Sequence, residues 1–145
     1  MRRSASSSKA EQPLAGAATE LRVRYGETDA MGWVYYGNYL LYFEVGRTEL
    51  MRAIWTSYRS LEEQGMRLPV IEASCKYHQG ARYDDRLRVE TELVIPTVLR
   101  IRFCYRIIRA DDSILLASGH TDHCFVSAAG KPIRIPGELL ERLGA

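Results

Sequence analysis

Asp29 stands where its chemistry can be named. It lies in the segment 25–47, YGETDAMGWVYYGNYLLYFEVGR, in a turn after a short apolar strand at residues 21–25. Gly32 and Gly37 bracket an aromatic cluster, and an amphipathic helix pattern begins near Asn38. Asp29 precedes Tyr36, at the approach to that helix, by seven positions. A carboxylate there can attack an electrophile or activate water. The first N–H groups of a helix have no partner within it and can stabilise negative charge on a carbonyl oxygen. On residue type alone, Asp29 reads more readily as a turn former than as a catalyst, since Thr-Asp is good turn chemistry.

The other reactive residues form weaker patterns. Glu44 and Arg47 sit in the helix stripe of Leu40, Phe43, Leu50, Met51 and Ile54. Two charges on an apolar face need partners, and they are expected to pair with each other at i,i+3 and hold the helix in place. Glu44 therefore ranks second as a catalytic acid. His78, His120 and His123 do not form a metal set, because residues three apart on a strand point to opposite faces. No metal is expected. No G-x-S-x-G elbow occurs, and no phosphate-binding glycine loop. Arg86, Arg88, Arg100, Arg102 and Arg106 share one side of a period-two pattern. They read equally well as a solvated or interface face balanced by Glu90 and Glu92, or as an anion site.

These residues must be positioned by a strand, a long helix and four further strands. Arg59 to Gly65 is expected as a second short helix. Residues 69–79 form a strand candidate. Leu87, Val89, Thr91, Leu93 and Ile95 alternate with charged residues, as do Leu99, Ile101, Phe103, Tyr105 and Ile107 with three arginines. Pro96-Thr97 is expected to connect those two strands, and Asp111-Asp112-Ser113 to turn into a last strand over 114–126. A short helix is expected over 136–143. The sum is an α+β layer, with one helix against a five-stranded antiparallel sheet. One helix covers only part of such a sheet, so a homodimer or homotetramer is expected.

The 145 residues fit one domain, here 19–145 after a tail at 1–18 rich in Ser and Ala. A net charge of +2 gives no case for nucleic acid, and no apolar run is long enough to span a membrane. Cys75, Cys104 and Cys124 show no CxxC pairing, and no secretory signal is present. They read as small buried hydrophobes in a reducing compartment, so the cytoplasm is expected.

Three blocks, in order, carry a family resemblance: Glu27-Thr28-Asp29-Ala30-Met31-Gly32 with Val34-Tyr35-Tyr36 and Asn38-Tyr39; Glu44 with Arg47-Thr48-Glu49; and Leu68-Pro69-Val70 followed by Ala81-Arg82-Tyr83-Asp84-Asp85. Over about residues 20–143 the chain resembles the hotdog-fold thioesterases, within them the 4-hydroxybenzoyl-CoA thioesterase family and its bacterial short-chain acyl-CoA branch. The resemblance implies a sheet wrapped around one long central helix. It implies hydrolysis of an acyl-CoA, or of an acyl-carrier-protein thioester, to free acid and thiol. Asp29 becomes nucleophile or general base, and the backbone N–H of Tyr36, with Gly37, becomes the oxyanion site. Tyr83 falls near the pantetheine channel, and Arg100 and Arg102 become candidates for the phosphates of coenzyme A. No cofactor is implied beyond coenzyme A as part of the substrate. Many acyl-CoA members carry histidine where this chain has Tyr36, whereas the 4-hydroxybenzoyl-CoA enzymes carry tyrosine. Other readings are a polyketide or quinone-pathway thioesterase, and a catalytically silent hotdog dimer that binds acyl chains.

Overall fold

A computed structural model describes residues 12–145. Most of the tail expected at 1–18, namely residues 1–11, lies outside the described residues. The first strand, β1, runs Ala15–Arg22. It begins six residues before the expected start, so residues 15–18 belong to the sheet rather than to a tail. Tyr25, expected in that strand, instead opens a 3-10 turn, Tyr25–Glu27.

The order continues with α1 (Asn38–Ile54), α2 (Tyr58–Glu63), β2 (Met66–Arg67), β3 (Val70–Tyr77), β4 (Arg86–Thr97), β5 (Arg100–Arg109), β6 (Ile114–His123), β7 (Val126–Ser127) and α3 (Gly137–Leu143). The main sheet has the order β1-β4-β5-β6-β3, with every neighbouring pair antiparallel. β2 and β7 form a separate two-stranded ribbon, so the long strand expected over 114–126 breaks after His123. Pro96 lies inside β4, at an irregularity between Val94 and Thr97, rather than in the connection. A bulge tolerates a residue with no N–H to give the ladder. Val98 and Leu99 make the turn instead.

The long helix lies against β1, β4 and β5. Its buried residues are Tyr39, Tyr42, Phe43, Gly46, Leu50 and Met51, spaced by three and four as one helix face requires. Phe43 stacks on Tyr105 of β5, with ring centroids 4.2 Å apart. Gly46 sets the approach of helix to sheet, because a Cβ there would run into Thr91 Oγ1 and Val89 Cγ1 of β4. A glycine inside a helix costs about 1 kcal/mol. Full burial of Phe43, Leu50 and Met51 contributes roughly 1.5–3 kcal/mol each, which outweighs that cost. One long helix packed against this five-stranded antiparallel sheet is the hotdog arrangement that the resemblance implies.

Candidate active site

The turn holding Asp29 is built by its own backbone. Gly32 N–H donates to Asp29 O (3.0 Å) and Asp29 N–H to Trp33 O (2.7 Å). Gly32 takes φ +85°, a left-handed conformation that glycine adopts without strain. The Asp29 side chain closes the same turn: Oδ1 accepts from Met31 N–H (2.9 Å) and Trp33 N–H (3.2 Å). Among the described residues, Oδ2 has no hydrogen-bond partner.

A second set of bonds ties this loop to the start of α1. The Glu27 carbonyl accepts from Tyr35 N–H (2.9 Å) and from Asn38 Nδ2 (2.8 Å). Glu27 Oε1 accepts from Arg24 N–H (2.9 Å) and the Tyr42 hydroxyl (2.8 Å). Partial burial works against this carboxylate, but those donors and the Arg24 guanidinium hold its carboxyl below the usual range. The Asn38 side chain is committed to the Glu27 carbonyl, and Gly37 is the N-cap and offers no side chain. The first turn is tight, with Asn38 N–H on Tyr35 O (2.9 Å) and Tyr39 N–H on Tyr36 O (3.3 Å). The N–H groups of Tyr36 and Gly37 have no acceptor among the described residues.

Asp29 and Tyr36 open onto one cavity of about 260 Å³, whose walls include Trp33, Tyr39 and Tyr77. His78, Gln79 and Gly80 complete one side, where the chain leaves β3. Tyr77, Gln79 and Gly80 escape the sequence reading, which weighs His78 only as a metal ligand. They reach the cavity through the antiparallel packing of β3, and only Gly80, whose Cβ would strike the Trp33 ring at 2.9 Å, hinted at a close approach.

The other candidates lie elsewhere. Tyr83 is exposed and packs edge-on against Tyr25, 5.5 Å between centroids, outside the cavity walls. Arg100 and Arg102 are not free cations. Arg102 holds both oxygens of the buried Asp122 (2.6 and 2.9 Å), and Arg100 adds a third bond (3.1 Å). Asp122 pairs with Arg102 across β5 and β6 and with Glu72 on β3. At about 3.3 Å per residue along β3, that level lies on the order of 15–20 Å from Tyr77 and the Asp29 cavity. Glu44 is exposed, and it forms no ion pair with Arg47 among the described residues, contrary to expectation. Arg47 reaches the Tyr105 hydroxyl instead, at 3.5 Å. Glu72, His120 and Asp122 bring donor atoms within 4.8 Å of one another. The two guanidiniums on Asp122 make this a poor cation site.

The thioesterase-like superfamily model matches residues 23–143. An acyl-CoA thioesterase from Haemophilus influenzae is 34% identical over 86% of this chain and 91% of its own length. The crystal structure of a DHNA-CoA thioesterase from Staphylococcus aureus is 30% identical, superposes with a TM-score of 0.83, and covers 89% of each chain. That of a hypothetical protein from Aquifex aeolicus is 33% identical, with a TM-score of 0.82 over 88% of this chain and 98% of its own. The chain therefore belongs to the thioesterase-like superfamily and is a thioester hydrolase.

Proposed function

We propose that the protein hydrolyses an acyl-CoA thioester to a free acid and coenzyme A in the cavity at Asp29. One observation carries this reading: Asp29 Oδ1 is fixed by two backbone N–H groups while Oδ2 has no partner among the described residues, in a cavity shared with the start of α1. The thioester carbonyl would accept from the free N–H groups of Tyr36 and Gly37. Either Oδ2 attacks the carbonyl carbon, or it takes a proton from water that attacks. In the first route the C–S bond breaks, the thiolate leaves and takes up a proton, and water cleaves the resulting anhydride. Both routes consume one water and give one carboxylate and one thiol.

Trp33, Tyr36, Tyr39 and Tyr77 line the cavity, which favours an aromatic or otherwise bulky acyl group. The similarity to an enzyme named for an aromatic CoA thioester supports the same choice. The working form is a homodimer or homotetramer. Strand β3 ends the sheet with its ladder edge open and exposes Val70, Ile71 and Tyr77, so it is the natural seam for a second copy.

Thiol release from a panel of short, long and aromatic acyl-CoA esters, with acyl-carrier-protein esters beside them, tests this. Saturable release with the highest kcat/KM on an aromatic acyl-CoA is expected. Tight acyl-CoA binding without thiol release from any ester would make the protein an acyl-binding module instead.

A further inference from the structure

The hydroxyl of Tyr77, near the end of β3, donates to the carbonyl of Tyr36 at 3.0 Å. That carbonyl belongs to the same peptide unit as the Gly37 N–H. We infer that Tyr77 is a positioning residue for the oxyanion site: it locks the Tyr36–Gly37 peptide and strengthens its N–H as a donor to the thioester oxygen. This rests on the reading of Asp29 and the start of α1 as the hydrolytic site.

The physical argument has three parts. A hydrogen bond accepted by an amide carbonyl polarises the unit and makes its N–H a better donor, by about 10–30% per bond in condensed phases. The Tyr36–Gly37 peptide also needs an external restraint. Gly37 precedes the regular helix, and its N–H has no acceptor among the described residues to fix it. The two bonds on the Tyr36 carbonyl differ in quality: the helical one from Tyr39 N–H is long (3.3 Å), while the one from Tyr77 is short (3.0 Å) and comes from another element. Finally, Tyr77 is itself well placed. Its ring sits edge-on to Tyr36 (6.3 Å) and to Tyr39 (5.2 Å), and it forms part of the cavity wall. Burial, with Cys75 beside it, pushes its hydroxyl up to about 12, so it remains a proton donor throughout the neutral range. The edge strand and the helix start are thereby joined at the peptide where negative charge would develop.

Tyr77→Phe removes the hydroxyl and keeps the ring. Losing one oxyanion donor outright lowers kcat by about 10²–10³. Losing 10–30% of that stabilisation predicts a fall in kcat of about two- to eightfold, with KM unchanged. The Gly37 amide nitrogen resonance should move upfield, as expected when the adjoining carbonyl loses a donor. Parent kcat in Tyr77→Phe, or a raised KM with parent kcat and an unmoved Gly37 resonance, would overturn the inference. Asp29→Asn, assayed beside it, separates the two levels. An inactive Asp29→Asn with a parent-like Tyr77→Phe removes only the role of Tyr77. An active Asp29→Asn removes the site reading and this inference with it.

Discussion

At the residue scale, the difference between a reactive acid and a structural one is the number of oxygens already used. Asp29 has one oxygen committed to its turn and one without a partner among the described residues. Asp122 has both committed to guanidiniums, which hold its carboxyl below the usual range. That contrast depends on cross-strand register, which commits Arg100 and Arg102 to Asp122. Period-two alternation puts Arg100 and Arg102 on one face, but nothing in the sequence sets Asp122 opposite Arg102. The turn at Asp29 is legible because its chemistry and the following helix pattern are local, whereas its role as the reacting acid comes from the family resemblance. His123 offers a pH test. Burial, with Arg47 nearby, lowers it to about 4, against about 6.5 unfolded. The unfolded chain then binds more protons between those values, so stability is complete above about pH 6.5 and falls as the pH drops toward 4. A shift of that size is worth about 3 kcal/mol. Melting temperatures between pH 7 and pH 4 should decline in the parent, and His123→Gln should flatten the decline. An equal slope in both proteins would place the acid lability elsewhere.

At the element scale, the existence and extent of α1 follow from helical spacing, but its face differs from the expected stripe: Leu40 and Glu44 are exposed, and Tyr39, Tyr42 and Gly46 are buried in their place. Strand β1 was only partly legible. Its first half, Ala15 to Ala18, carries none of the β-branched or aromatic residues that mark strands, and tertiary pairing with β4 decides its structure. The ribbon of β2 and β7 escaped for a similar reason, since two-residue strands leave no periodicity to detect. This correction changes what a truncation should do. Removing residues 1–11 should leave the melting temperature and rate unchanged. Removing residues 1–17 takes away the Leu14 N–H bond to Leu93 (2.8 Å) and the first three residues of β1. Each kcal/mol lost should lower the melting temperature by about 2–4 °C. Equal melting temperatures for the two truncations would mean that this half of β1 adds nothing to the sheet.

At the scale of the whole molecule, the sheet and helix bring three separate pieces of chain to one cavity: the turn at Asp29, the start of α1, and the exit of β3. The first two are adjacent in sequence and could be read there. The third is supplied by topology, since β3 lies at the far edge from β1. That edge is also where a second copy would join, which links assembly to the cavity through Tyr77. Turnover of Asp29→Asn, measured on the purified full chain with a good acyl-CoA substrate, tests the assignment of the acid most directly. The substitution keeps the size of the side chain and an oxygen for the Met31 and Trp33 N–H groups, so the variant should fold and assemble like the parent. Its kcat should fall by about 10²–10⁴-fold, and further if Asp29 is the nucleophile, with little change in substrate binding. Glu44→Gln, at an exposed position on α1, should leave kcat close to the parent value. Near-parent turnover in a folded Asp29→Asn, with turnover abolished in Glu44→Gln, would contradict the assignment and move the reacting acid onto the helix.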